Sequence, residues 1–507
     1  MDQEPDRAET GRRLQSDLSP PKADRFGFEP QSEATAFLGG GVFTRDTCRR
    51  NVAMTCARRK SPHCLKALRI AGLSGLLILI AAAPVVAQTS SPLWQLQQAP
   101  ASLKITKEVV RASAVQIDVG RLLSADNVRF SLLMPDGDAL SVAKYDQRLT
   151  PNGLVWFGKI DNEPISSVSF AVVNQTVVGS ILTGGGRSFR LRRDASGIQV
   201  IEEIDLKELP PEGDPTPVPG RRGAREGVSA VDTCTTDGPD QIDVMVVYTQ
   251  AARVGAGGQD AMEAQIQLAK EQSNQSYINS NINQRLRLVH IAEVAYAESG
   301  KTIVDRDRLK AKADGFIDEV HSLRDTFGAD VVVMITETGD FCGYTYIMNP
   351  IGNAFEDSAF AVVARDCATQ DGKFSFTHEI GHIMSARHDR YIDNVDNAPS
   401  PYNHGYIQLK PTSGTPWRTI MAYSTSKTTP TDPETNPCAL AAAKAGVPRD
   451  QFCPRILNFS NPGVSVGADP TGTATEDNHR ALNDTASTVA NFRCSLPAAA
   501  SGPSVKK

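Results

Sequence analysis

Two rhythms of apolar and polar residues divide this chain. Between about Ser102 and Asp205 the apolar residues come in short β-prone runs, LVWFGKI, SVSFAVV, TVVGSIL, SFRLRR and IQVIEEI, separated by turn signals such as Gly184-Gly185-Gly186 and Asp194 to Gly197. Runs of this length between such turns predict an antiparallel meander or sandwich. From Ile242 the rhythm changes. IDVMVVYT (Ile242 to Thr249) is a continuous apolar run, as in a strand buried on both faces. A helical stretch follows with Met262, Ile266, Ala269, Ser273 and Tyr277 on one face, and then RLRLVHIAEVAY as a second strand. Leu309, Ala313, Phe316, Val320, Leu323 and Phe327 recur at helical spacing and predict one helix from Asp305 to Phe327. ADVVVMIT (Ala329 to Thr336) is a third strand, and two short ones are expected around Tyr344 to Met348 and Ala359 to Arg365. Alternating strands and helices imply a mostly parallel sheet covered by helices.

Between the two regions lies LPPEGDPTPVPGRRGAREG, residues 209 to 227, where closely spaced Pro and Gly prevent regular structure. Such a segment is expected to be an extended, protease-accessible linker, and a maturation cut near Arg221, Arg222 or Arg225 would release the upstream domain as a propeptide. Further upstream, the apolar run Ile70 to Val86 follows Arg58, Arg59, Lys60, Lys66 and Arg69 and ends in small residues suited to signal peptidase. It is shorter than the roughly 20 apolar residues a membrane helix needs and is interrupted by Gly72, Gly75 and Pro84, so a cleaved export signal is expected rather than a stable membrane anchor. Met54 is a natural start for that signal, and residues 1–53 show no period of their own. The expected order is therefore a doubtful or disordered extension (1–53), a signal peptide (54–87), a β-rich prodomain (88–208), a Pro/Gly/Arg linker (209–232), a second domain (233–496) and a disordered tail (497–507).

A length of 507 residues fits two folded units plus such processing segments. The net charge of -5 and the lack of a dense Lys/Arg run speak against a nucleic-acid partner. Of the 9 Cys, Cys48, Cys56 and Cys64 precede the cleavage point. The remaining six suit three disulfides in an exported chain, although six Cys permit 15 connectivities. The preferred set is Cys342 with Cys367 and Cys438 with Cys453, each close in sequence, and Cys234 with Cys494 across the ends of the second domain.

The candidate chemistry lies in FSFTHEIGHIMSARHD, Phe374 to Asp389, which holds three of the chain's 8 His. On a helix, His378 and His382 stand one turn apart on the same face and can offer both imidazoles to one metal ion, with Glu379 beside it. His388 reaches the same ion only if the helix stops between it and His382 and the chain reverses. Three protein ligands leave a fourth position for water, the arrangement of a catalytic rather than a structural zinc site. Glu379 is then the candidate general base, accepting a proton from the activated water and passing it to a leaving amine.

HEIGHIMSARHD followed by TIMAY (Thr419 to Tyr423) resembles the metzincin clan of zinc endopeptidases in its reprolysin-like branch, and RTIMAY with FSNP (Phe459 to Pro462) is similar to bacterial peptidyl-Asp metalloendopeptidases. The resemblance covers about Ile242 to Arg493. It implies an α/β (α+β) catalytic domain with a mostly parallel five-stranded sheet, an antiparallel edge strand and an active-site helix, preceded by a β-rich antiparallel prodomain. It also implies one catalytic zinc on His378, His382 and His388, Glu379 as base, and Met421 in the turn beneath the metal. The implied partners are protein or peptide substrates and the chain's own propeptide, with secretion as a monomer. A calcium ion would be compatible with such a fold, and nothing in the sequence supports one.

One departure stands out. The clan usually has Gly where this chain has Ser385, because the turn after the helix needs a left-handed backbone that Gly adopts without strain. Tyr423, two residues after Met421, resembles a Tyr that serves in some metzincin families, though not in reprolysins proper, as a movable ligand or oxyanion stabiliser; the alternative is a Tyr packed below the site. Asp389 reads as a structural hydrogen-bond acceptor, and His404, His290, His321 and His479 as structural or surface residues. If the enzyme prefers Asp after the scissile bond, as the resemblance implies, a cation should line that pocket, and Arg418 and Lys427 are the nearest candidates. The rival readings are a catalytically silent binding protein or adhesin on the same scaffold and a structural zinc domain. The intact Glu379 and third His argue against both.

Overall fold

The structure, a computed structural model, describes residues 91–101, 103–218, 238, 240–396, 400–412, 414–427 and 431–494. The expected extension, signal peptide and tail, together with Arg221, Arg222, Arg225 and Cys234, lie outside them. Among the described residues no helix is long and apolar enough to cross a membrane.

The first rhythm folds as nine strands: β1 (Trp94–Gln97), β2 (Val109–Ile117), β3 (Arg129–Leu133), β4 (Ala139–Thr150), β5 (Gly153–Ile160), β6 (Ser167–Val173), β7 (Thr176–Leu182), β8 (Ser188–Arg193) and β9 (Gln199–Ile204), with the short helix α1 (Val119–Leu123) between β2 and β3. They form one sheet in the order β1-β2-β9-β8-β7-β6-β5-β4-β3. Every neighbouring pair is antiparallel. Trp156, Phe170 and Phe189 build the core on one face. Val155, Phe157, Ala171 and Val173 point to the other, as the two-residue period of a strand requires.

The second rhythm gives β10 (Thr216–Pro217), β11 (Gln241–Thr249), α2 (Gln250–Ala256), α3 (Gln259–Asn279), β12 (Arg285–Val294), α4 (Thr302–Lys310), α5 (Glu319–Phe327), β13 (Val331–Thr336), β14 (Gly343–Ile347), β15 (Phe360–Ala364), α6 (Ser375–Ile383), α7 (Pro437–Ala445), α8 (Arg449–Phe452) and α9 (Asn478–Val489). The sheet order is β10-β14-β15-β13-β11-β12. The pairs β11–β12, β11–β13 and β13–β15 are parallel, and β14 runs antiparallel to β15. Val244, Val246, Val331 and Val333 face α3 and α6, while Met245, Val247, Val332 and Met334 face α4 and α5. This two-sided burial explains the unbroken apolar runs.

Helix α3 is sandwiched. Ala264 and Leu268 pack on the nine-stranded sheet, and Met262, Ile266, Ala269 and Tyr277 on the second core. Its buried polar residues are paired across both contacts: Gln272 Nε2 donates to Ser169 Oγ (2.8 Å), and Ser273 Oγ lies 2.8 Å from Thr377 Oγ1 on α6.

Two expectations are corrected. The single helix from Asp305 to Phe327 is two helices, α4 and α5. Gly315 adopts φ +84°, and the Asp318 carboxylate accepts from the backbone N–H groups of Asp314 and Gly315 (both 3.1 Å), which folds the chain into a turn where helical spacing predicted continuity. The Pro-rich segment, in turn, does not start as a free linker. Residues 210–217 run along the open edge of the second sheet and end in β10, which pairs parallel with β14 through Thr216↔Tyr346 and Pro217↔Ile347. The disulfides Cys342–Cys367 and Cys438–Cys453 are present as expected.

Candidate active site

Helix α6 places His378 and His382 one turn apart, and its C-terminal cap sets the third imidazole. The Ala386 N–H donates to Gly381 O (2.9 Å) and the Ser385 N–H to His382 O (2.9 Å), a Schellman ending with Ser385 at φ +72°. Asn403 Nδ2 donates to the Ser385 carbonyl, and Arg387 exchanges backbone hydrogen bonds with Asn403 O (2.7 Å) and the Gly405 N–H (3.1 Å). His404 Nδ1 donates to the His388 carbonyl (2.9 Å) from below. His404 thus supports the returning strand, in line with its structural reading.

The three Nε2 atoms form a triangle with sides of 3.0–3.1 Å: His378 to His382 3.1 Å, His378 to His388 3.1 Å and His382 to His388 3.0 Å. His378 Nδ1 lies 3.1 Å from Ile420 O and His382 Nδ1 2.8 Å from Ala386 O. Carbonyl oxygens only accept, so both protons sit on Nδ1 and both Nε2 lone pairs face the centre of the triangle. Buried lone pairs aimed at one another are unfavourable without a cation between them. Nitrogens held at about 2.0–2.1 Å by a tetrahedral zinc stand about 3.3–3.4 Å apart, close to this spacing, so the residues fit a metal of that kind. Burial depresses both imidazoles, His378 to about 3 against the opposing pull of the Glu212 carboxylate and His382 well below its usual range, so both are neutral as ligands must be.

The other predicted residues gather around this triangle. Gly381 faces the Met421 thioether, where a Cβ would stand 2.8 Å from Sδ, so Met421 lies directly beneath the helix. Glu379 is buried against Gly343 at the start of β14, and its Oε2 has no hydrogen-bond partner. Burial, then the Glu212 carboxylate, pushes its carboxyl well above the usual range, and a cation on the three His would act in the opposite direction. The Tyr423 ring centroid is 4.1 Å from that of His388, and its hydroxyl donates to Gly213 O (3.2 Å). Asp389 accepts from the backbone N–H groups of Tyr423 (2.8 Å) and Tyr391 (3.0 Å), which makes it the structural acceptor expected.

The two cations named for a pocket do not face the triangle. Arg418 is buried and tied to Asp450 Oδ1 (2.7 Å) and to the carbonyls of Ala422 (3.0 Å) and Cys453, while Lys427 is exposed. The guanidinium beside the site is Arg455. It forks onto Glu212, with Nη2 to Oε2 at 2.9 Å, and also donates to the carbonyls of Ala422 (2.8 Å) and Lys373. Glu212 Oε1 is 4.0 Å from His378 Nδ1, and Asp214 Oδ1 is 3.5 Å from His388 Nδ1. Burial alone would raise the Glu212 carboxyl, but the Arg455 guanidinium outweighs it and holds the carboxyl at about 2. Sequence reasoning missed Arg455 because it looked straight after the Met421 turn. The available signal was Cys453: its disulfide returns the chain so that Arg418 N–H meets Pro454 O (3.1 Å) and Ile456 N–H meets Arg418 O (2.9 Å).

The model of metallo-peptidase family M12 matches residues 238–433. A peptidyl-Asp metalloendopeptidase of Stenotrophomonas maltophilia (strain K279a) is 33% identical over 364 residues, covering 68% of this chain and 79% of that one. One from Xanthomonas campestris pv. campestris is 33% identical over 399 residues, covering 75% and 86%. Another, from Stenotrophomonas maltophilia (strain R551-3), is 34% identical over 389 residues, covering 76% and 81%.

Proposed function

This chain belongs to metallo-peptidase family M12, as a metzincin-like bacterial metalloendopeptidase, and from that premise we propose that it is a zinc endopeptidase with His378, His382 and His388 as ligands and Glu379 as general base. One observation carries the reading: three buried imidazoles converge on a triangle of 3.0–3.1 Å, with Glu379 alongside. A zinc ion bound there supplies Lewis acidity to a scissile carbonyl and to the attacking water.

The protein groups divide the remaining work. Glu379, with Oε2 free, accepts the water proton and delivers it to the leaving amine. The edge of β14 offers backbone groups to an extended peptide, as it does to β10. Gly343 leaves room for the Glu379 carboxylate beside that strand. The Tyr423 hydroxyl donates to oxygen charge developing on the substrate carbonyl, as it donates to Gly213 O. Preference for Asp after the scissile bond follows the relatives' names.

We also read the nine-stranded sheet as a propeptide released by a cut in the linker (209–232), and the chain as an exported, secreted monomer. Chelation is expected to abolish turnover of a general protein substrate and zinc to restore it. N-terminal sequencing of the secreted protein tests the processing, and a mature start near Gln88 would contradict the propeptide.

A further inference from the structure

Segment 210–217 lies across the site with little backbone to hold it there. Pro210, Pro211, Pro215 and Pro217 have no N–H, and regular strand pairing is limited to Thr216 and Pro217. Its other ties are few: Pro211 O accepts from the Cys342 N–H (2.7 Å), Pro210 O from Lys373 Nζ (2.9 Å) and Gly213 O from Tyr423, Arg306 donates to Thr216 Oγ1 (2.7 Å), and Asp214 Oδ1 lies 3.5 Å from His388 Nδ1. The strongest polar contact is the fork of Arg455 onto Glu212, with both side chains buried.

Arg455 has no carboxylate partner on its own part of the chain within ion-pair distance among the described residues, whereas Arg418 beside it has Asp450. Were the segment to leave, a buried guanidinium would face an empty seat close to the histidine triangle. A buried charge without a counter-ion is strongly destabilised, so that seat selects a ligand carrying a carboxylate, and a planar fork matches one better than any neutral side chain.

We propose that Arg455 is the residue that reads the acidic side chain of a peptide substrate, and that Glu212 occupies its seat in the uncut chain as an intramolecular stand-in for that side chain. The proposal rests on the endopeptidase reading above and deepens it by naming the specificity residue and its occupant. Glu212 is thereby the anchor that holds the Pro-rich segment over the site until the chain is cut downstream of it.

Two arms test this. In the uncut full chain, hydrogen exchange of the Cys342 N–H needs neither metal nor turnover. Glu212→Gln is expected to speed that exchange at least about tenfold, and the control Glu319→Gln, at an exposed position on α5, to leave it unchanged. Unchanged exchange in Glu212→Gln would overturn the anchoring role. In the processed protein, peptides with Asp, Glu or Asn after the scissile bond are compared. Arg455→Gln is expected to cut the Asp-to-Asn ratio of kcat/KM by about 100-fold. Arg455→Lys, which keeps the charge and folds more readily, should lower the ratio by about tenfold. A ratio maintained in both variants would overturn the assignment of Arg455. If the processed wild type cleaves no peptide at all, the endopeptidase reading fails and the substrate half of the proposal falls with it, while the exchange arm still decides the Glu212 seat.

Discussion

Ser385 carries the reversal that returns His388 to the helix, and it does so at φ +72°. A side chain there costs on the order of 1 kcal/mol relative to Gly. Ser385→Gly is therefore expected to stabilise the fold by about 1 kcal/mol in urea unfolding. Zinc affinity should change by less than about tenfold, because Asn403 and the Schellman bonds already hold the turn; a larger gain would mean that the native turn strains the site. Gly343 is the opposite case. A Cβ there overlaps the Glu379 carboxylate, so Gly343→Ala should lower kcat by about 100-fold with metal content unchanged. The histidines, Met421 and the demand on Ser385 were legible because each belongs to a local pattern. Arg455 was not: its place depends on a disulfide that folds the chain back, and Arg418, nearer in sequence, points to Asp450 instead.

At the level of elements, the start of β14 is tied by Cys342–Cys367, 25 residues apart, to the turn that follows β15. Replacing both by Ser should cost about 3 kcal/mol in denaturant unfolding and loosen the strand that faces Glu379. The strands were readable because unbroken apolar runs such as VVVMIT admit only a doubly covered position. The helix over Asp305 to Phe327 was misread because spacing is blind to a carboxylate such as Asp318 that captures two backbone donors and turns the chain. For α3, the face with Met262 and Tyr277 was visible, but its second cover was not. Gln272 is polar and buried, and its partner Ser169 comes only from the nine-stranded sheet.

At the scale of the whole molecule, the nine-stranded sheet is fastened to the second core by buried charge. Arg190 donates through Nε to Asp371 Oδ2 (2.6 Å) and through Nη2 to Asp366 O (2.8 Å), and Ser180 donates to the same Asp371. Removing one partner strands the other, so Arg190→Ala should cost about 3–5 kcal/mol in the stability of the uncut chain, and the sheet should separate more readily once the linker is cut, as size-exclusion chromatography would report. No sequence pattern announces a pair 181 positions apart. Metal analysis paired with turnover on processed wild type and Glu379→Gln tests the assembled site most directly. The expected result is one zinc per chain in both, with turnover of a protein substrate reduced by about 1,000-fold or more in Glu379→Gln. Turnover within tenfold of wild type, or hydrolysis by a chain that holds no metal, would contradict it.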